Sequence, residues 1–253
     1  MGHSGRVVRT LRVMTFNIHA GIGTDGRYDL ERVAALVTAQ EPDLLGLQEV
    51  DRHYDTRSAF EDQPARLAEL TGLLSSFGPT IARNAPSEGA PRREYGNLIL
   101  SRFPISSSCS TALPSTLEER ALLEVVVDLG VGVPLTFFDI HLGLGTGSLE
   151  RAPQALAAAA RVDAAAPPRI LVGDANVQPP SEELVPLFDR LADVWPEVGS
   201  GEGATIPSDA PRWRIDLVLV ERVMRPLRAW TIATDASDHL PVVCDVAVPG
   251  VDH

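Results

Sequence analysis

Again and again along this chain, a run of branched apolar residues begins or ends in a carboxylate, a carboxamide or an imidazole. Short runs of this composition form strands buried in a sheet, and the polar residues at their ends are held at the rim with little freedom. The stretch Ser237-Asp238-His239-Leu240-Pro241-Val242-Val243 sets an acid and an imidazole just before a strand expected over Leu240 to Val248. Arg214-Ile215-Asp216-Leu217-Val218-Leu219-Val220 has the same form. If the two strands are neighbours, Asp216 reaches His239. A carboxylate bonded to one ring nitrogen fixes the tautomer and raises basicity at the other, as a general base near neutral pH requires. The competing reading makes His239 a strand-end histidine satisfied by a backbone carbonyl, with both aspartates in turns; repetition of the pattern weighs against it.

The rest of the chain alternates strand and helix. Val13 to Ile18 reads as an inner strand with Asn17 and His19 at its end, followed by a loop over Gly21 to Gly26. Asp29 is a plausible N-cap for a helix in which Leu30, Val33, Leu36 and Val37 recur at helical spacing until Pro42. Leu44 to Val50 forms a strand ending in Gln48 and Glu49, and Gln63 to Leu70 a short helix closed by Gly72. A surface loop over Ala85 to Arg93 delivers Glu94-Tyr95-Gly96-Asn97 into a strand at Leu98-Ile99-Leu100. Leu122 to Leu129 and Leu135 to Leu142 form an antiparallel pair joined through Gly130-Val131-Gly132, the second strand carrying Asp139 and His141. Polar residues among such apolar neighbours need a partner or a task.

After a flexible segment, Gly143 to Gly147, the alanine-rich run Gln154 to Ala166 is helical. Pro153 fits only in a first turn, so that helix is expected to start near Ala152 rather than at Ser148. Ile170 to Asn176 repeats the theme, with Asp174 and Asn176 at alternate positions after Gly173. Ser181 to Leu191 reads as a helix with a defect at Pro186, and Trp195 to Trp213 as loop. Trp213 either fills a gap at the rim or stacks on a substrate.

At 253 residues, with 44% apolar and 22% charged residues, the chain fits one large α/β domain, read here as residues 1–253 with a core of about 7–249. It is expected to be monomeric. No segment approaches the apolar length of a membrane span, and Met1 to Arg12 lacks the pattern of a secretory leader. The two cysteines, Cys109 and Cys244, form neither a disulfide framework nor a metal-type spacing, which suits a reducing, cytoplasmic setting. A net charge of -12 argues against sequence-independent attraction to nucleic acid and shows no basic patch for it. It leaves room for a phosphate ester approached through a divalent cation.

Taken in order, Thr15-Phe16-Asn17, Gln48-Glu49, Tyr95-Gly96-Asn97, Asp139-Ile140-His141, Gly173-Asp174-Ala175-Asn176, Arg214-Ile215-Asp216 and Ser237-Asp238-His239 resemble the signature of the endonuclease/exonuclease/phosphatase superfamily, the deoxyribonuclease I-like metal-dependent phosphoesterases. The match runs from about Val13 to Val248. The resemblance implies an α/β (α+β) four-layer sandwich: two packed mixed β-sheets, helices on both outer faces, and the site at one rim. Two positions depart from the pattern. Ala175 stands where the family commonly has an aromatic, a matter of packing, and His19 where some nuclease branches place an aspartate, which leaves its part in metal or phosphate binding open.

The resemblance also implies roles. Magnesium, for which manganese may substitute, prefers one or two carboxylates and several waters, which fits Glu49 as principal ligand with Asn17 nearby and Asp238 contributing. His239, held by Asp216, would take a proton from the attacking water or, in another proposal for the family, contact the phosphate as imidazolium. Asp174 would orient the nucleophile or handle a proton, Asn176 would bond a phosphate oxygen, and His141 would bond the phosphate or protonate the leaving group. Glu94 could partner His141 or stay solvated, and Asn97 is a weaker phosphate contact that equally caps a turn. The implied activity is magnesium-dependent hydrolysis of a phosphodiester or phosphomonoester; the rival is a non-catalytic member binding a phosphorylated ligand or protein through the same cleft. A nucleic acid, a lipid headgroup and a small phosphomonoester all remain open as substrate.

Overall fold

The computed structural model describes residues 7–130, 134–144 and 148–249. Its elements in chain order are β1 (Val7–Asn17), α1 (Leu30–Gln40), β2 (Leu44–Arg52), α2 (Gln63–Thr71), β3 (Leu74–Arg83), β4 (Arg93–Ser101), β5 (Ile105–Leu113), β6 (Arg120–Asp128) and β7 (Pro134–His141). There follow α3 (Ser148–Ala164), β8 (Arg169–Asp174), α4 (Val185–Phe188), β9 (Leu191–Asp193), α5 (Trp195–Val198), β10 (Asp216–Glu221), β11 (Arg225–Thr231) and β12 (Val242–Pro249). The turn expected at Gly130-Val131-Gly132 and the loop Gly143 to Gly147 lie partly outside the described residues.

Two helical crossovers set the architecture. Asp29 caps α1 by accepting the Arg32 amide at 2.9 Å, and the helix ends in left-handed Glu41 before Pro42. That crossover lays β2 parallel to β1, pairing Asn17 with Gln48 at the same end. In the second unit α3 lays β8 parallel to β7 and pairs His141 with Asp174. The remaining pairings are antiparallel, giving one sheet ordered β11-β12-β1-β2-β4-β3 and another ordered β5-β6-β7-β8-β10-β9.

Their facing sides enclose a core that includes Val13, Leu44, Ile99, Phe137, Val172 and Val246. Met14, Phe16, Leu45 and Leu47 pack outward onto α1 and α2, while Phe138, Ile140 and Leu171 pack onto α3 and α4. The result is the α/β/β/α sandwich. Each fully buried Leu, Val or Phe contributes about 1.5–3 kcal/mol, so three continuous apolar layers hold the strand ends in place.

The structure corrects several expectations. The helix α3 starts at Ser148, with Pro153 well inside it. Its first turn is held from outside: Glu150 accepts the Thr116 and Leu117 amides at 2.8 and 2.9 Å, and Arg151 binds Glu183 at 2.6 Å. The segment Ser181 to Leu191 is a 3-10 turn, then α4 with Pro186 in its first turn, then β9. The loop expected from Trp195 opens with α5. β12 begins at Val242 rather than Leu240, because Leu240 donates to Thr205 at 2.7 Å and Pro241 has no N–H. Finally, β10 and β12 belong to different sheets, so the strand that opens at Asp216 and the one that follows His239 lie on opposite sides of the sandwich instead of pairing.

Candidate active site

The sandwich brings both sheets' polar strand ends to one rim. Asn17, at the end of β1, donates through Nδ2 to Glu49 Oε1 and to Asp174 Oδ2, both at 3.1 Å, and its Oδ1 accepts the His19 amide. In this orientation Asn17 presents N–H groups, not oxygen, to the carboxylates. Across the sheet interface, His239 Nδ1 lies 2.9 Å from Asp216 Oδ2. The contact expected from the sequence exists, reached from the opposite sheet. His141 Nε2 and His239 Nε2 lie 3.6 and 3.8 Å from the same Asp174 oxygen. Glu49, Asp174, Asp216, His141, His239 and Asn17 therefore form one linked cluster.

Local backbone features place these groups. Opposite Asn97, β2 carries two residues, Gln48 and Glu49: Leu47 pairs with Leu98 and Val50 with Gly96. This β-bulge puts Glu49 at φ 60° and leaves its side chain half-buried at the rim. A non-glycine residue there carries about 1–3 kcal/mol of strain, a cost that persists at functional positions. Gly173 precedes Asp174 at φ 138°, and a Cβ there would stand 2.0 Å from the Ile140 carbonyl oxygen, so only glycine admits β7 this close. Ser237 fixes the approach to His239, donating to the Asn17 carbonyl at 2.7 Å and accepting the His239 amide at 3.2 Å.

Charge is unevenly compensated. Asp174 and Asp216 are direct cross-strand partners in the β8–β10 pair, both buried. Like charges so placed oppose each other, and burial together with the Asp216 charge raises the Asp174 pKa. The second oxygen of Asp216, Oδ1, has no hydrogen-bond partner. Burial alone would lower the His239 pKa, but the charges of Asp216, Asp174 and Asp238 override it and push it up to about 10. His141 is shifted the other way, downward, by burial and by the Arg120 guanidinium. Arg120 Nη1 can only donate, so His141 Nδ1, 3.1 Å away, accepts and the ring carries its proton on Nε2 toward Asp174.

The other predicted residues are placed as follows. Asn176, at φ 51°, gives its amide to Asp174 Oδ1 and an Nδ2 hydrogen to the Leu142 carbonyl, both at 2.8 Å. Asp238 is half-buried at the rim, 3.8 Å from His19. Asn97 is buried and donates to the Asp139 and Ala121 carbonyls at 3.2 and 3.4 Å, tying one sheet to the other. Glu94 does not partner His141: Arg52 takes its carboxylate, and Arg120 and Asp174 flank the imidazole instead. Three places separate Glu94 from Asn97 on one strand, so they face opposite sides, which alternation alone could have revealed. Arg120 was missed, although an arginine heading an apolar strand repeats the form of Arg214.

The donors suit a hard divalent cation. Ligand atoms of Asp174, Asp216 and His239 all lie within 4.8 Å of one another, Glu49 is linked to Asp174 through Asn17, and the facing aspartates are what a cation bound beside them would offset. Oxygen-rich donors with one or two carboxylates are the set magnesium takes.

A fold of this topology with acids and histidines gathered at one rim defines a phosphoesterase scaffold with a candidate metal site. The model of the Endonuclease/Exonuclease/phosphatase family matches residues 14–239, and the chain belongs to that family, whose members are hydrolases acting on phosphate esters. An endonuclease/exonuclease/phosphatase of Beutenbergia cavernae is 31% identical at a TM-score of 0.82, with 96% of this chain and 72% of that one covered. Mannosyl-6-phosphatase of Bacteroides thetaiotaomicron is similar at 17% identity and a TM-score of 0.76 over 94% of this chain and 100% of that one. The human Nocturnin catalytic domain with bound sulfate is similar at 21% identity and 0.73, over 96% and 95%. The last two resemblances concern fold alone. A search of curated sequences gives no match. Among the described residues no helix is long and apolar enough to cross a membrane.

Proposed function

We propose that this protein is a magnesium-dependent phosphoesterase that hydrolyses a phosphodiester or phosphomonoester by attack of water at phosphorus, with manganese able to replace magnesium. The observation that supports it best is the pair of facing buried aspartates, Asp174 and Asp216, with His239 anchored on one of them and directed toward the other. Glu49, strained on its bulge, would hold the cation, with Asp174 beside it through Asn17 and Asp238 at the rim. A bound divalent cation would neutralise phosphate charge and oppose the upward shifts at Asp174 and His239.

The chain's own groups supply the rest. His239, fixed in one tautomer by Asp216, accepts the proton of the attacking water at Nε2. Asp174 orients that water. His141, neutral with its proton on Nε2, donates a hydrogen bond to a phosphate or leaving-group oxygen, and Asn176 offers its remaining amide hydrogen to the phosphate. The test is hydrolysis of an aryl phosphodiester with magnesium, with EDTA and in His239→Ala. Activity indifferent to both treatments would reject the reading.

A further inference from the structure

Beside Glu49 the rim opens into a pocket of about 180 Å³ lined among others by Tyr54, Arg57, Tyr95, Glu118 and Arg120. We propose that this pocket is a second anion subsite, so that the natural substrate carries a further oxyanion, a carboxylate or a second phosphate, beside the phosphate that is cleaved. The inference rests on the phosphoesterase reading, because Glu49 is shared between the pocket and the candidate cation site.

Arg120 carries the argument. Its side chain is only 3% exposed, yet among the described residues the carboxylate within ion-pair distance of it is Glu118, at 2.7 Å and 47% exposed. It also meets the His141 ring and hydrogen-bonds the Tyr95 hydroxyl, while its Nε has no hydrogen-bond partner. A desolvated guanidinium is best satisfied by two parallel bonds to one oxyanion, and an exposed carboxylate held by one contact is displaced at little cost. Glu118 stands in for the missing anion.

The opposite wall is rigid. Arg57 lies 5.7 and 5.5 Å from the ring centres of Tyr54 and Tyr95, and buried Asp51 takes its Nε and Nη2 at 3.0 and 2.8 Å. That clamp uses the Nε–Nη2 edge of the guanidinium and leaves Nη1 and the second Nη2 hydrogen. Two fixed arginines between aromatic walls, in a chain of net charge -12, make a local site for anions rather than an attractive field.

The test uses three aryl phosphodiesters that differ only in whether the departing phenol carries no charge, a carboxylate or a phosphate. The readout is the ratio of KM values, in which a general effect on turnover cancels. KM for one or both charged substrates should lie about tenfold or more below that of the uncharged one, and whichever is favoured identifies the anion. Glu118→Gln should widen the ratio by about fivefold, the factor that freeing a surface ion pair allows, and Arg120→Gln should erase it. Equal KM values that Glu118→Gln does not alter would overturn the inference, whereas hydrolysis of none of the three would overturn the phosphoesterase reading instead. In that event sulfate is titrated in EDTA and followed by tyrosine fluorescence: binding tightened about fivefold by Glu118→Gln and lost in Arg120→Gln supports the subsite, and sulfate binding that Glu118→Gln does not tighten rejects it.

Discussion

The antiparallel strands β8 and β10 handle charge in opposite ways at their two ends. At the far end Arg169 holds Glu221 through two bonds, at 2.6 and 2.9 Å. At the rim Asp174 faces Asp216 with no arginine between them. The first sheet shows the same contrast: Asp245 is held by Arg12 and Arg228, while Glu49 is met by an amide. All 22 basic residues are arginines. Elsewhere many of them are paired with acids, so the buried acidity left without an arginine at one rim marks the candidate site for an external cation.

The contrast can be broken at several points. His239→Ala should lower kcat/KM by about 10²–10⁴, the usual worth of a positioned acid–base group; because it also leaves buried Asp216 without its partner, the melting temperature should fall and activity is read per folded molecule. A divalent cation at about a hundredfold excess over its Kd should stabilise the protein by about 2.7 kcal/mol, raising the melting temperature by about 5–10 °C. An unchanged melt would show that the bare carboxylates do not bind it. At the far end, Arg169→Ala should cost about 1–3 kcal/mol, read by denaturant unfolding, because it leaves Glu221 half-buried and unpaired; activity per folded molecule should be kept.

Asp216→Asn sharpens the comparison. It keeps an acceptor for His239 while removing one of two facing charges, so in EDTA it should melt about 2–4 °C above wild type even as activity falls. Asp139→Asn should act more weakly and only on stability. Burial, helped by the Asp174 charge and opposed by the Gln48 bond, holds the Asp139 carboxyl well above its ordinary 3.8. The stability this group contributes is complete below that value and is lost as pH rises toward the folded-state pKa. The variant should therefore match wild type near pH 4 and exceed it at neutral pH, by up to about 2 °C.

Legibility in the sequence followed burial. α1 could be read because Asp29, the 3.6-residue apolar spacing and Pro42 agree. β3, β5 and β11 were not read, because edge strands with one open side need no continuous apolar run: β5 is the serine-rich Ile105–Leu113, exposed along most of its length. The ends of central strands were legible one by one, since a polar residue there interrupts an apolar run. What joins them was legible only in part, since the Asp216–His239 contact was expected from paired strands rather than stacked sheets. Asp216 meets His239 because two sheets stack, and Arg120 reaches His141 from a neighbouring strand; both are consequences of packing, which periodicity along one strand does not encode.

The bulge in β2 also makes the chemistry detachable from the scaffold. Leu45, Leu47 and Val50 share the helix-covered face, the spacing an unbroken strand would have if Glu49 were skipped. A chain shortened by that single residue would keep its ladder in phase, retain Asp51 for Arg57, and lose Glu49, the proposed cation ligand. On the proposed reading, one codon would separate a phosphoesterase from a receptor of the same shape.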